Sequence, residues 1–136
     1  MRPLLRPLLH RLLQGALPGL ALLAASATAG AGGPADVIGV AVRCTGSETA
    51  RLCDFDVTIR SDDRDMRHFA DAFEVLAGDG RVLGRRELLH DHADEQPFTR
   101  ELHGVRVPPG ATWVTVRAHH RPLGFGGAAR RVDLPR

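Results

Sequence analysis

The stretch LCDFDVTIR, Leu52 to Arg60, decides the fold. Cys53, Phe55, Val57 and Ile59 alternate with Asp54, Asp56, Thr58 and Arg60, the period of two expected of a strand with one buried face. Upstream, VIGVAVR (Val37 to Arg43) is β-rich and is separated from Leu52 by a loop rich in Thr, Gly and Ser. Cys44 and Cys53, the only cysteines in the chain, stand at the facing ends of these two strands. In an oxidising compartment they close the hairpin as a disulfide. A metal or redox pair calls instead for a CxxC spacing or a neighbouring His, and neither is present.

Downstream, SDDRDMRHFAD (Ser61 to Asp71) lacks the glycine and closing glutamate of a calcium loop, so it reads as a solvated connection with a short helical turn at Asp65 to Phe69. AFEVLA (Ala72 to Ala77) is joined by Gly78-Asp79-Gly80 to RVLGRRELLH (Arg81 to His90), a hairpin signal because glycine accepts the positive φ of such turns. Thr99 to Val107 forms the next strand, ended by Pro108-Pro109-Gly110. TWVTVRAHH (Thr112 to His120) alternates with Trp113 opposite Val114 and Val116, which leaves open which face is core. GFGG then lies between strands, not before a helix, so it is no phosphate loop, and Ala128 to Leu134 closes the series. Seven short strands with regular turn signals predict an all-β fold, a single antiparallel sandwich.

The first 29 residues have the order of a signal peptide: Arg2, Arg6 and Arg11, an apolar run from Leu12 to Ala25, and small residues ending in Ala27-x-Ala29. The run is shorter than the ~20 residues of a membrane span and is interrupted by Gly15, Pro18 and Gly19. No cysteine sits at the processing site, so lipid attachment there is not suggested. The expected organisation is a signal peptide over 1–29, a flexible segment over 30–35 and one domain over 36–136, located in the periplasm or secreted. Three of the eighteen arginines fall in the leader, leaving fifteen against sixteen acids. That balance, with both signs interleaved, excludes a nucleic-acid binder, and it leaves export as the chain's one dealing with a membrane.

The segment VPPGATWVTVRAHHRPLGFGG, Val107 to Gly127, resembles the end of a fibronectin type III domain, which implies an immunoglobulin/fibronectin type III-like sandwich. More extensively, ADxxEVL, a hairpin, LLHxHxxEQPFTR and a VRAH segment ending in GFGG, spanning Ala70 to Gly127, resemble a group of small exported bacterial proteins of uncharacterised function. That resemblance implies export and carries no activity with it.

Strands joined by short connections alternate direction, so the loops after the second, fourth and sixth strands share one end. His68, His90, His92, His119 and His120 then gather there with Asp62, Asp91, Asp94 and Glu95. If the strand continues through them, His90 and His92 project from one face, and Glu95 and His119 complete a ligand set suited to zinc or copper. Alternatively these side chains serve the loop's architecture, with Glu95 and Gln96 satisfying backbone groups, Pro97 fixing the turn and Phe98 plugging the end. Arg100, Arg121 and His120 form a candidate surface for an acidic partner, a protein or a glycan, unless the arginines pair locally with Glu95 or Asp94. A Glu-His pair suits general acid/base work, but no oriented nucleophile accompanies it, so a hydrolytic enzyme is a remote alternative. The expectation is a non-catalytic binding module.

Overall fold

The computed structural model describes residues 32–136. The segment read as a signal peptide lies outside the described residues, as do positions 30 and 31. Seven strands follow one another: β1 (Ala35–Ser47), β2 (Ala50–Ser61), β3 (Phe69–Leu76), β4 (Val82–Glu87), β5 (Phe98–Val107), β6 (Trp113–Arg121) and β7 (Arg130–Asp133). They form two antiparallel sheets, β1-β2-β5 and β4-β3-β6-β7, with no helix among the described residues. No helix there is therefore long and apolar enough to cross a membrane.

The alternation read in β2 is realised: Cys53, Phe55, Val57 and Ile59 are fully buried. They share one cluster with Phe73 and Val75 of β3, Phe98 and Val105 of β5, and Val114 and Val116 of β6, so both sheets contribute to a single core. Full burial of each large side chain contributes about 1.5–3 kcal/mol. On β6 the inward face is thus that of the valines. Trp113 turns outward, with the Arg131 guanidinium 4.2 Å from its ring centroid.

Several local expectations change. The loop between Cys44 and Leu52 is nearly absent, because β1 and β2 stay paired to Ser47 and Ala50 and Cys44 lies directly opposite Cys53, to which it is disulfide-bonded. Asp65 to Phe69 is not helical. Asp65 Oδ1 accepts the backbone N–H groups of Arg67 and His68 and holds a tight turn that feeds β3. The Gly78-Asp79-Gly80 hairpin is present as expected, closed by the Ala77 N–H donating to the Arg81 carbonyl, with Gly80 at φ 87°. Part of the segment read as flexible is tied down. Asp36 accepts the N–H groups of Gly33 and Ala128, and the Pro34 carbonyl accepts from Asp62 N–H.

Candidate functional site

The loops after β2 and β4 are joined through one carboxylate. Asp63, which the sequence places in a run of solvated acids, has a fully buried side chain. Its Oδ1 accepts from the Ser61 hydroxyl at 2.7 Å and the Ala70 N–H at 2.8 Å, and its Oδ2 accepts from the His92 N–H at 2.7 Å. Gln96 reinforces the junction, accepting the Ser61 N–H at 2.9 Å and donating to the His92 carbonyl at 3.0 Å. The third loop meets the same end, where His120 approaches the Asp62 carbonyl at 3.4 Å. The shared end expected from strand count is therefore present.

The histidines gathered there do not form one constellation, because most have a carboxylate of their own. His68 Nδ1 lies 3.4 Å from Asp65, and His119 Nδ1 lies 2.5 Å from Asp71. β4 ends at Glu87, so His90 and His92 lie in a loop and not on a continuing strand. Their rings still approach to 4.5 Å between centroids. The proposed metal set of His90, His92, Glu95 and His119 is not assembled: His119 faces Asp71, and both Glu95 oxygens accept from Arg100. No group of three or more His, Cys, Asp or Glu among the described residues is placed to hold a metal ion.

His120 is 1% exposed, so it cannot serve the partner surface assigned to it; its even place in the β6 alternation turns it inward with Ala118. Arg121 is exposed, with Nε 3.5 Å from Asp71. His92 is enclosed as well, its ring stacked on Phe98 at 3.9 Å and its Nδ1 without a hydrogen bond, 3.7 Å from Asp63 Oδ2. Burial pushes its pKa down, and the nearby Arg100 guanidinium pushes the same way. The Arg100 guanidinium holds the Glu95 carboxyl below its ordinary value.

Three of the expected site residues do meet, in a different place. A cleft of about 330 Å³ at the seam between the edge strands β4 and β5 is lined by Arg86, Glu87, Leu88, Leu89, His90, His92 and Arg100. Arg86 on β4 stands opposite Phe73, and Arg100 on β5 stands opposite Val57, both partners being fully buried. Both arginines thus occupy core-facing positions at the open edge, where the alternation calls for apolar residues. Arg86 donates across the seam to the Glu101 carbonyl at 3.0 Å. Sequence reading missed Arg86, although its spacing of two from Gly84 and from the buried Leu88 marks the inner face.

No protein-family model matches the chain, and no solved structure matches it. A protein of Halomicrobium mukohataei named "Putative lipoprotein" is 44% identical over 99 residues, covering 73% of this chain and 47% of that relative. The chain thus spans about half the length of the curated relative it matches.

Proposed function

We propose that this chain is an exported, non-catalytic binding module of the cell envelope, built as an immunoglobulin/fibronectin type III-like sandwich, that takes its ligand in the seam cleft between β4 and β5. Export is supported by the order of residues 1–29, by the Cys44–Cys53 disulfide, and by the lipoprotein name of the relative. The sandwich reading draws support from the strand order. Relative to an immunoglobulin constant domain, the fourth strand has left the β1-β2-β5 sheet for the edge beside β3, and the remaining neighbours are kept.

One observation carries the binding role: two arginines on the core-facing sides of adjacent sheet edges, at the mouth of a cleft left open to solvent. Charge on the inner face of a sheet is costly unless it is paired or used; Arg100 is paired with Glu95, and Arg86 has a neutral carbonyl as its one hydrogen-bond partner. The cleft residues include no Ser, Thr, Cys or Lys, so the lining offers no hydroxyl, thiol or amine nucleophile. Loop architecture and binding are divided between different groups. Asp63 and Gln96 fix the loop from within, and Arg86, His90 and Arg100 face the cleft.

The test is a panel of peptides and glycans screened against the protein and its Arg86→Gln variant, with melting curves for both. Ligands that bind the parent and are lost from a normally folded variant support the cleft. Ligands that bind both equally rule it out.

A further inference from the structure

Resting on that reading of the cleft, we infer that its ligand is a singly charged oxyanion carrying an apolar group, with a carboxylate as the form that fits. The charge follows from what surrounds the two arginines. Arg86 has no carboxylate within 4.0 Å among the described residues, and its one hydrogen bond within the protein goes to a neutral carbonyl. Arg100 is neutralised by Glu95, an exposed side chain that an incoming anion displaces into water without opening the core. Glu87, the one acid of the lining, is held by Arg85. Arg85 also bonds Glu74, which Arg117 bonds in turn, so Arg85, Arg86, Arg100 and Arg117 exceed Glu74, Glu87 and Glu95 by one positive charge, which matches a monoanion.

Guanidinium geometry makes that anion an oxyanion. A planar fork of N–H donors matches two oxygens on one centre better than it matches a halide or a neutral acceptor. The apolar half follows from Leu88 and Leu89. Leu88 is buried at the cleft floor, and Leu89, beside it, is 80% exposed with no partner covering it. An alkyl or ring carbon next to the anionic group would lie on Leu89 and remove that surface from water. His92, stacked on Phe98 and fixed through its backbone by Asp63, gives the site a rigid wall, so little ordering is required on binding.

The test uses small probes with the full, disulfide-bonded protein, read by NMR of the arginine side-chain N–H groups and the backbone amides of residues 86–92 and 98–101. Butyrate carries both features, inorganic sulfate is an oxyanion of twice the charge with no apolar group, and butylammonium carries the alkyl chain with the opposite charge. The expected result is saturable shifts with butyrate in the millimolar range, weaker binding of sulfate and none of butylammonium. Arg86→Gln is expected to weaken butyrate about tenfold, since a charge-assisted hydrogen bond is lost, and Arg86→Lys to recover part of it. Glu95→Ala is expected to tighten butyrate severalfold by freeing Arg100, a gain that a purely structural role for the pair would not produce. Absence of saturable shifts with butyrate and sulfate overturns the inference, as does equal binding by parent and Arg86→Gln. Sulfate binding more tightly than butyrate overturns the inference, because a doubly charged oxyanion with no apolar group would then fit the cleft better. Panel ligands that need Arg86 yet carry no oxyanion overturn it too, while leaving the binding role of the cleft intact.

Discussion

Asp63 Oδ2 accepts the backbone N–H of His92 at 2.7 Å, and this bond ties together two loops that lie 29 residues apart in sequence. The same carboxylate accepts from Ala70 N–H and the Ser61 hydroxyl, so three donors depend on it. Asp63→Ala leaves two backbone N–H groups without an acceptor in a region that excludes water. Each such loss costs about 1–3 kcal/mol, so a destabilisation of about 3 kcal/mol is expected in urea unfolding. Asp63→Asn restores one oxygen but turns an amide N–H₂ toward a donor, and is expected to recover only part. A loss below about 1 kcal/mol for the alanine variant would show that water reaches these groups.

Stability is expected to fall in two steps on acidification. Burial pushes the His92 imidazole below its ordinary value of about 6.5, so the unfolded chain takes up that proton first as the pH falls. Stability is therefore full above about 6.5, declines below it, and levels once the folded imidazole is protonated as well. Glu74 supplies the second step. Burial alone would raise its carboxyl, but the Arg117 and Arg85 guanidiniums bonded to it outweigh burial and leave it lowered. Its contribution is present above about 4.3 and lost as the pH falls through the lower folded value. Unfolding midpoints across pH check both steps. His92→Phe, which keeps an aromatic ring against Phe98, should remove the first and spare the second.

The fold was legible where one neighbour in sequence dictates the next. Period-two alternation identified β2 and β6, and Gly78 to Gly80 identified the β3–β4 hairpin, because both signals are local. The ends of β1 and β2 were not legible, since the ladder runs on past Cys44 and Cys53 through a Thr-Gly-Ser stretch that reads as loop by composition. The site was legible only as a location. Strand counting brought the right loops together, but which of Asp62, Asp63 and Asp65 turns inward depends on donors at Ala70 and His92. The spacing that makes His90, His92 and His119 one ligand set carries no information on partners: in three dimensions His119 meets Asp71, His68 meets Asp65, and His92 and His120 are buried. The spacing of Arg86 from Leu88 marks its face, but its partner across the ladder, Phe73, is set by the register of pairing, which no local signal gives.

Reduction of the Cys44–Cys53 bond is expected to lower stability without changing the fold. The two residues are direct cross-strand partners, and the link closes a short loop. Loop-closure entropy for that length corresponds to about 2 to 3 kcal/mol. The remaining β1–β2 ladder, including the turn from Ser47 to Ala50, keeps the hairpin in register after the bond is cut. Urea midpoints of oxidised and reduced protein measure the loss, and amide hydrogen exchange along Arg43 to Leu52 locates it. Protection lost instead in β3 and β6 would mean that the bond supports the second sheet.

Gly84 tests how tightly the seam closes beside the cleft. A Cβ at this position would stand 3.1 Å from a Leu102 methyl and 3.1 Å from a Val105 methyl, so β5 touches it at two points. Two effects oppose each other in Gly84→Ala. Reduced freedom of the unfolded chain favours the folded state by about 0.4–1 kcal/mol, and crowding against the two methyls opposes it. Leu102 is only partly buried and can shift toward the open edge, so alanine is expected to be near neutral. Gly84→Val offers no such escape, because its branched side chain meets Val105, itself stiff at χ1, and a loss of about 1–3 kcal/mol is expected. Comparison of the two variants by thermal unfolding separates the effects. A valine variant as stable as the parent would show that β4 and β5 part freely, which the cleft at Arg86 and Arg100 would then share.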